Sequence, residues 1–149
     1  MPRACTPPLT PSHFRLSLTQ VNVADALHEH GIQPSAQRVA VGDYVLKTDE
    51  HPSADLVWKR VRRRFPYISR ATVYNTLNLF VEKGLLQTLN LAEGSVVFDP
   101  KTETHHHFID EKTGRIHDIP WDDVQVCIIE KLDGYEVRDY QVVIRGRKK

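Results

Sequence analysis

Apolar residues recur at helical spacing between residues 21 and 83, with turn-forming residues separating the runs. Ser53 and Ser69 stand where N-caps are expected, Pro66 ends one run, and Gly31 and Gly84 close two others. The pattern therefore predicts four short helices, at 21–30, 35–47, 53–65 and 69–83. The side chains of the third helix predicted to face the core are Leu56, Val57, Val61 and Phe65.

Beyond Gly84 the apolar period changes to two, which is typical of strands. Leu89 and Leu91 alternate with polar residues, Glu93-Gly94 predicts a turn, and residues 96–98 return as a second strand. Helices followed by a hairpin predict a winged helix-turn-helix over 21–98, preceded by a proline-rich, flexible arm at 1–20.

After a hinge at 99–104, residues 105–149 predict a smaller α/β domain. About fifty residues are too few to bury their own apolar face, so we expect this domain to pair with a second copy of itself. The predicted fold class is α+β, an N-terminal winged helix-turn-helix plus a C-terminal α/β dimerisation domain. The elements predicted in the second domain are strands at 107–109 and 115–119, a helix at 121–132 and a strand at 135–145.

The charge of this chain of 149 residues is unevenly distributed, although its net value is only +1. Residues 1–98 carry 11 basic and 8 acidic side chains, whereas residues 99–149 carry 9 and 11. A nucleic-acid partner is therefore compatible with the near-zero net charge, because the basic half is the half with the predicted helix-turn-helix.

Cysteine is scarce, with Cys5 and Cys127 alone in the chain. Two cysteines make no disulfide framework, and no Cys-x-x-Cys pair is present to hold zinc through thiolates. No run reaches the roughly 18 apolar residues that a membrane span needs. We interpret the compartment as the cytoplasm and expect no membrane partner.

The fourth predicted helix has a face suited to a DNA groove. Val73, Leu77 and Phe80 cluster on its inner side, while the opposite face is small, polar and free of acids. Such side chains can approach the edges of DNA bases closely, and neighbouring basic side chains can bind phosphates. The alternative is an ordinary surface helix beside a solvated basic run. The predicted DNA-contacting residues here are Ala71, Thr72 and Asn75, with Tyr74 at the border and Arg62, Arg63, Arg64 and Arg70 towards the phosphates.

A histidine cluster begins the second domain. On a strand, His105 and His107 point to the same side while His106 points away, and Asp118 of the following strand can reach the same side. Imidazole and carboxylate together suit Fe(II), Mn(II) or Zn(II). A solvated histidine-rich loop is the simpler alternative.

Two further functions remain open at this point. A His-x-His pair with a carboxylate also occurs in non-haem iron enzymes, but that class of site would need an all-β barrel, and residues 21–83 predict helices. The other is a helix-turn-helix protein whose dimer partner is a different regulator and whose histidines are incidental.

Three segments resemble the ferric uptake regulator family in register: His51-Pro52-Ser53-Ala54-Asp55, residues 69–77, and Phe98-Asp99 followed by His105-His106-His107. The resemblance spans about residues 21–146. It implies a homodimeric, metal-sensing repressor that binds a double-stranded DNA operator. By this resemblance the DNA contacts include Arg38, near the minor groove, and Tyr74. The implied regulatory metal ligands are His51, Asp99, His105, His107 and Asp118.

The sequence departs from most relatives of that family in its thiols. Where they carry the first of two Cys-x-x-Cys pairs, this chain has Asp110 and Thr113, and the second pair is missing. We therefore expect one regulatory site per subunit and no four-cysteine structural zinc.

The cysteine-poor pattern is similar to two branches of the family. In the peroxide-regulator branch, Fe(II) at the site leads to oxidation of a ligand histidine, here His51 or His107. In the iron-response-regulator branch, haem binds the triple histidine, here His105, His106 and His107. Peroxide, iron and haem therefore all remain candidate signals.

Overall fold

The computed structural model describes residues 22–91, 94–127, 132–147 and 149. The predicted arm at 1–20 and part of the predicted helix at 121–132 lie outside these residues. The chain divides into two compact units, one that reaches Thr102 and one that starts at Glu103. Within the described ranges, no helix combines the length and the apolar character that crossing a bilayer requires.

The described residues of the first unit form four helices, as the apolar spacing predicts. They are α1 (Val23–Glu29), α2 (Ala36–Val45), α3 (Ala54–Val61) and α4 (Arg70–Glu82). Ser35, Ser53 and Ser69 each accept a hydrogen bond from the backbone N–H three residues later, so every one of these three serines is a helix N-cap. Gly84 follows α4 with a φ of 76°, the left-handed conformation in which glycine carries no steric penalty.

The core of the first unit lies where the helices cross. Val41, Val57, Val73, Leu77 and Phe80 are completely buried in it. The wing, an antiparallel hairpin of β1 (Gln87–Asn90) and β2 (Val96–Asp99), follows α4. The connection before α3 is also tied to the wing, because the N–H of Phe98 donates a 3.0 Å hydrogen bond to the carbonyl of Pro52.

The described residues of the second unit form a three-stranded sheet in the order β4-β3-β5. Its strands are β3 (His106–Asp110), β4 (Ile116–Ile119) and β5 (Val143–Gly146). β4 pairs antiparallel with β3, and β5 pairs parallel with it. The helices of the first unit and this small sheet confirm the α+β fold class.

Three predictions of local structure are wrong. Residues 121–123 form a single 3-10 turn after Pro120, and Val124 is already extended, so the helix predicted from 121 does not form in the described residues up to 127. The strand predicted over 135–145 is confined to 143–146, because β3 offers only that length as a partner. α3 ends at Val61, and Phe65, predicted to be buried, is 39% exposed. The N–H groups of Arg63 and Arg64 bond to carbonyls three residues back, so the chain has already left the α-helical pattern before Pro66.

Apolar burial is unequal between the units. Among the described residues from 103 onward, Ile109 is the one hydrophobic side chain that is buried. Several large apolar side chains of the same unit are exposed, namely Leu132, Tyr135, Val137 and Ile144. The described part of the second unit therefore buries little apolar surface of its own.

Candidate metal and nucleic-acid sites

The C-terminal ligand triad is formed by His105, His107 and Asp118. His105 directly precedes β3, and the alternation of extended chain places it on the same side of the sheet as His107. The cross-strand pairing of His107 with Asp118 brings the carboxylate to the same place. Nε2 of His105 lies 2.9 Å from Nε2 of His107, and Oδ1 of Asp118 lies 3.4 and 3.9 Å from these two nitrogens. Three donor atoms thus converge within one unit.

The backbone fixes the tautomer of His105. Its Nδ1 lies 2.7 Å from the carbonyl oxygen of Glu103, and because a carbonyl can only accept, Nδ1 must carry the proton. In the neutral ring Nε2 then has its lone pair directed at His107. A backbone carbonyl that orients a ligand histidine in this way is typical of metal sites.

The spacing of the triad fits a divalent cation. Two imidazole nitrogens that each lie about 2.1 Å from one ion, at roughly a right angle, are about 3 Å apart. His105 and His107 show this separation, and both side chains are almost fully buried. Two histidines and a carboxylate suit Fe(II), Mn(II) or Zn(II).

The N-terminal ligand pair lies in the first unit and consists of His51 and Asp99. His51 immediately precedes Pro52, whose carbonyl is bonded to β2, and Asp99 is the last residue of β2. Nε2 of His51 lies 3.5 Å from Oδ2 of Asp99, with side chains 4% and 1% exposed. A buried carboxylate beside an imidazole is a second donor group for a cation.

Sequence reasoning missed Gln87, which holds the carboxylate of Asp99. Gln87 is the register partner of Asp99 across the wing, and its Nε2 donates to Oδ2 of Asp99 at 3.2 Å and to the carbonyl of Lys101. The N–H of Lys101 donates to Oδ1 of Asp99 at 2.8 Å. Only the register of the hairpin reveals this contact.

His106 points to the opposite face of β3 from the triad. Its ring stacks on Trp121, with centroids 4.5 Å apart, and its Nδ1 accepts a 3.2 Å hydrogen bond from the N–H of Val142. Burial, followed by the neighbouring His105 and His107, lowers the pKa of His106. His106 therefore packs as a neutral aromatic residue that fastens β3 to the chain entering β5.

Asp110 and Thr113 form a hydrogen-bonded turn between β3 and β4. The Thr113 hydroxyl donates to Oδ2 of Asp110 at 2.7 Å, and the N–H of Lys112 donates to Oδ1 at 2.9 Å. These hydrogen bonds lower the pKa of Asp110, that from Thr113 most. The two positions that the resemblance equates with a zinc-binding cysteine pair thus stabilise their turn through oxygen atoms.

The outer face of α4 is open, as its polar pattern predicts. Ala71 and Asn75 are exposed, Thr72 is half-buried, and Tyr74 is 42% exposed. Thr72 and Asn75 line one cleft together with Arg38, whose Nη1 donates a 2.9 Å hydrogen bond to the carbonyl of Gln33. Three of the predicted DNA-contacting residues therefore share one surface of the first unit.

The basic run lies at the end of α3 and the start of α4. Arg62, Arg63, Arg64 and Arg70 are all exposed. Arg64 lies 3.9 Å from the carboxylate of Asp43, an exposed ion pair of small energetic weight. The predicted cations are thus accessible beside the open face of α4.

Comparison with known proteins assigns this combination of elements to one family. The sequence model described as the ferric uptake regulator family matches residues 29–145. The peroxide operon regulator of Bacillus subtilis is 34% identical over 125 residues, which are 82% of this chain and 86% of that relative.

Solved structures agree with the sequence comparison. The Campylobacter jejuni peroxide stress regulator superposes with a TM-score of 0.64 at 28% identity, covering 87% of this chain and 98% of that one. A ferric uptake regulator from Pseudomonas aeruginosa, solved with manganese, superposes with a TM-score of 0.63 at 25% identity, covering 87% and 99%.

Proposed function

Because this chain belongs to the ferric uptake regulator family, we propose that it is a metal-dependent repressor of transcription that binds a DNA operator. The observation that carries the metal dependence is the convergence of His105, His107 and Asp118 in the second unit. The open face of α4 supports the DNA-binding part. The four helices of the first unit are not the all-β barrel that the enzyme alternative requires.

One divalent cation, Fe(II) or Mn(II) with Zn(II) as an alternative, is the proposed regulatory ligand. Its proposed donors are the C-terminal triad and the N-terminal pair, which together are the five residues implied by the family resemblance. An ion that needs donors from both units is bound best when the units adopt one arrangement, so metal binding selects a DNA-competent population. The bound ion supplies charge and, as Fe(II), reactivity towards peroxide.

The proposed assembly is a homodimer formed through the second unit. Among the described residues of that unit Ile109 is the one buried apolar side chain, whereas Leu132, Tyr135 and Val137 are exposed. This supports a second copy as the partner, because pairing would bury surface that the chain alone leaves in water. A dimer presents two copies of α4 to two half-sites of an operator. Such a complex acts where the chromosome lies, in the bacterial cytoplasm.

The proposed DNA contacts divide by chemistry. Ala71, Thr72, Tyr74 and Asn75 offer contacts to base edges from α4, whereas Arg38 offers a cation from the neighbouring cleft. The run of arginines binds phosphates and positions the protein without reading sequence. The members of that run are Arg62, Arg63, Arg64 and Arg70.

A mobility-shift assay with and without Mn(II) tests the metal-dependent function. We expect wild type to bind duplex DNA more tightly with Mn(II), and His107→Ala to lose that response. His117→Ala is the matched control, because His117 is an exposed histidine of the same sheet. Duplex binding that ignores both the metal and His107→Ala would remove the sensor function and leave a DNA-binding protein.

Peroxide is the proposed signal, since the relatives named above include a peroxide operon regulator and a peroxide stress regulator. After treatment with Fe(II) and peroxide, a peptide containing His51 or His107 should gain the mass of one oxygen atom, and the treated protein should release DNA. The haem alternative would instead be supported by two results together. The peptide masses would stay unchanged after peroxide, and the protein mixed with haem would show a strong Soret band that weakens when His105–His107 are replaced.

A further inference from the structure

Trp58 of α3 gathers two of the arginines onto its ring. The guanidinium carbon of Arg62 lies 4.4 Å from the centroid of the indole, and that of Arg70 lies at the same distance. Both distances are well within the range of cation–π attraction, for which tryptophan is the strongest side chain. One aromatic ring therefore holds two positive charges.

The ring itself is fixed by a backbone hydrogen bond. Nε1 of Trp58 donates to the carbonyl oxygen of Ile68 at 3.1 Å, in the connection between α3 and α4. Arg62 is the C-cap residue of α3, and Arg70 is the first residue of α4. Trp58 thus joins the end of one helix to the beginning of the helix that carries the DNA-facing residues.

Bringing two guanidinium groups together costs electrostatic energy, which this arrangement offsets in two ways. The negative face of the indole attracts both cations. The carboxylate of Asp55 lies 3.6 Å from Arg70, although both side chains are largely exposed and solvent weakens this pair. The remaining positive potential is exposed to solvent beside the open face of α4.

We infer that Trp58 is a positioning residue of the DNA interface, which holds Arg62 and Arg70 ready for the phosphates of one operator backbone. This inference rests on the proposed DNA-binding function and adds to it the residue that preorganises the phosphate contacts. Preorganisation lowers the entropy that two long side chains lose on binding. Phosphates carry no base identity, so Trp58 strengthens binding to all duplexes alike.

The test measures duplex affinity of the full chain, with Mn(II), over a series of salt concentrations. Affinity falls with salt, and each lost phosphate contact lowers the magnitude of the slope of log affinity against log salt by about one. This magnitude is called the slope below. We expect Arg62→Gln and Arg70→Gln each to lower the slope by about one. Trp58→Met, which keeps an apolar side chain without a ring face, should lower the slope by about one to two and low-salt affinity about tenfold.

Two comparisons separate positioning from mere structural support. Trp58→Tyr keeps a ring and should therefore keep the wild-type slope that Trp58→Met loses. Adding Trp58→Met to the double variant Arg62→Gln/Arg70→Gln should lower the slope no further than the double variant does. Arg115→Gln, an exposed arginine of the second unit, is the control that should leave the slope unchanged.

An unchanged slope in Trp58→Met would overturn the inference, as would a loss confined to the operator sequence. If thermal unfolding shows that Trp58→Met does not fold, the slopes of Arg62→Gln and Arg70→Gln decide, and wild-type slopes in both would overturn it. Wild-type protein that binds no duplex at any salt concentration would instead refute the proposed function itself.

Discussion

Gln87 and Asp99 face each other across the wing, and the amide nitrogen of Gln87 lies 3.2 Å from Oδ2 of Asp99. The same amide also bonds to the carbonyl of Lys101, so its orientation is fixed. Oδ2 is the oxygen that lies nearest to His51. Gln87 therefore sets the direction in which the carboxylate presents its lone pairs.

We predict that Gln87→Ala weakens Mn(II) binding about 10- to 100-fold, the usual cost of removing an outer partner of a metal ligand. Competition of the protein with a fluorescent chelator measures this affinity. Thr88→Ala, the exposed neighbour on the same strand, is the control. Equal affinities for Gln87→Ala and Thr88→Ala would show that Asp99 needs no such support.

The turn at Asp110 predicts a pH-dependent stability. The pKa of this carboxyl lies below its ordinary value of 3.8, so its stabilising contribution is complete above about pH 4 and disappears as the pH falls through the folded-state pKa. We expect Asp110→Asn to lower the thermal midpoint at pH 7, and the difference from wild type to shrink below pH 4.

Asp133→Asn, an exposed carboxylate of the same unit, provides the comparison for Asp110→Asn. Thermal unfolding followed by circular dichroism at several pH values gives the midpoints. A difference between Asp110→Asn and wild type that persists unchanged at pH 2.5, well below the ordinary aspartate range of about 4, would contradict the linkage.

The chemistry at Asp110 and Thr113 predicts that no zinc is held through thiolates. The Thr113 hydroxyl donates a hydrogen bond to the Asp110 carboxylate, and Cys127 is exposed. Titrating the purified protein with a mercurial thiol reagent in the presence of a zinc indicator should therefore release no stoichiometric zinc. One zinc per subunit liberated in step with thiol modification would disprove the prediction.

α2 approaches α1 closely at Gly42. A Cβ at this position would lie 2.6 Å from Cγ1 of Val23, so Gly42→Ala should lower the free energy of unfolding by about 1–3 kcal/mol. Urea denaturation measures the loss. In a Val23→Ala background, which removes the clashing methyl group, the added cost of Gly42→Ala should be smaller. Equal costs in both backgrounds would place the strain elsewhere.

The first unit follows closely from local sequence signals. Ser35, Ser53 and Ser69 cap their helices because a short side-chain oxygen beside a free N–H is a local interaction that needs no tertiary partner. The predicted convergence of His105 with His107 likewise follows from strand alternation alone. Local chemistry was sufficient in these places.

The sequence pattern could not predict structure that depends on contacts between residues distant in the chain. Val124 and Cys127 have helical spacing, yet Val124 is extended after the turn that Pro120 begins. Gln87 is twelve positions from Asp99, and Trp58 receives Arg70 from a different helix, so neither contact has a local signature. The metal role of the five ligands remains a prediction, since no donor geometry by itself identifies the ion.

The described residues of the second unit bury one apolar side chain, Ile109, and this sparse burial matters for the cell as well as for the fold. In the proposed dimer, a newly made second unit completes its apolar packing only when it meets another chain, so folding and assembly become one concentration-dependent event. At low abundance more chains would then lack a partner, and their unpaired second units would be open to proteolysis. Protein level and repression are in this way linked by a steeper relation than operator occupancy alone would give.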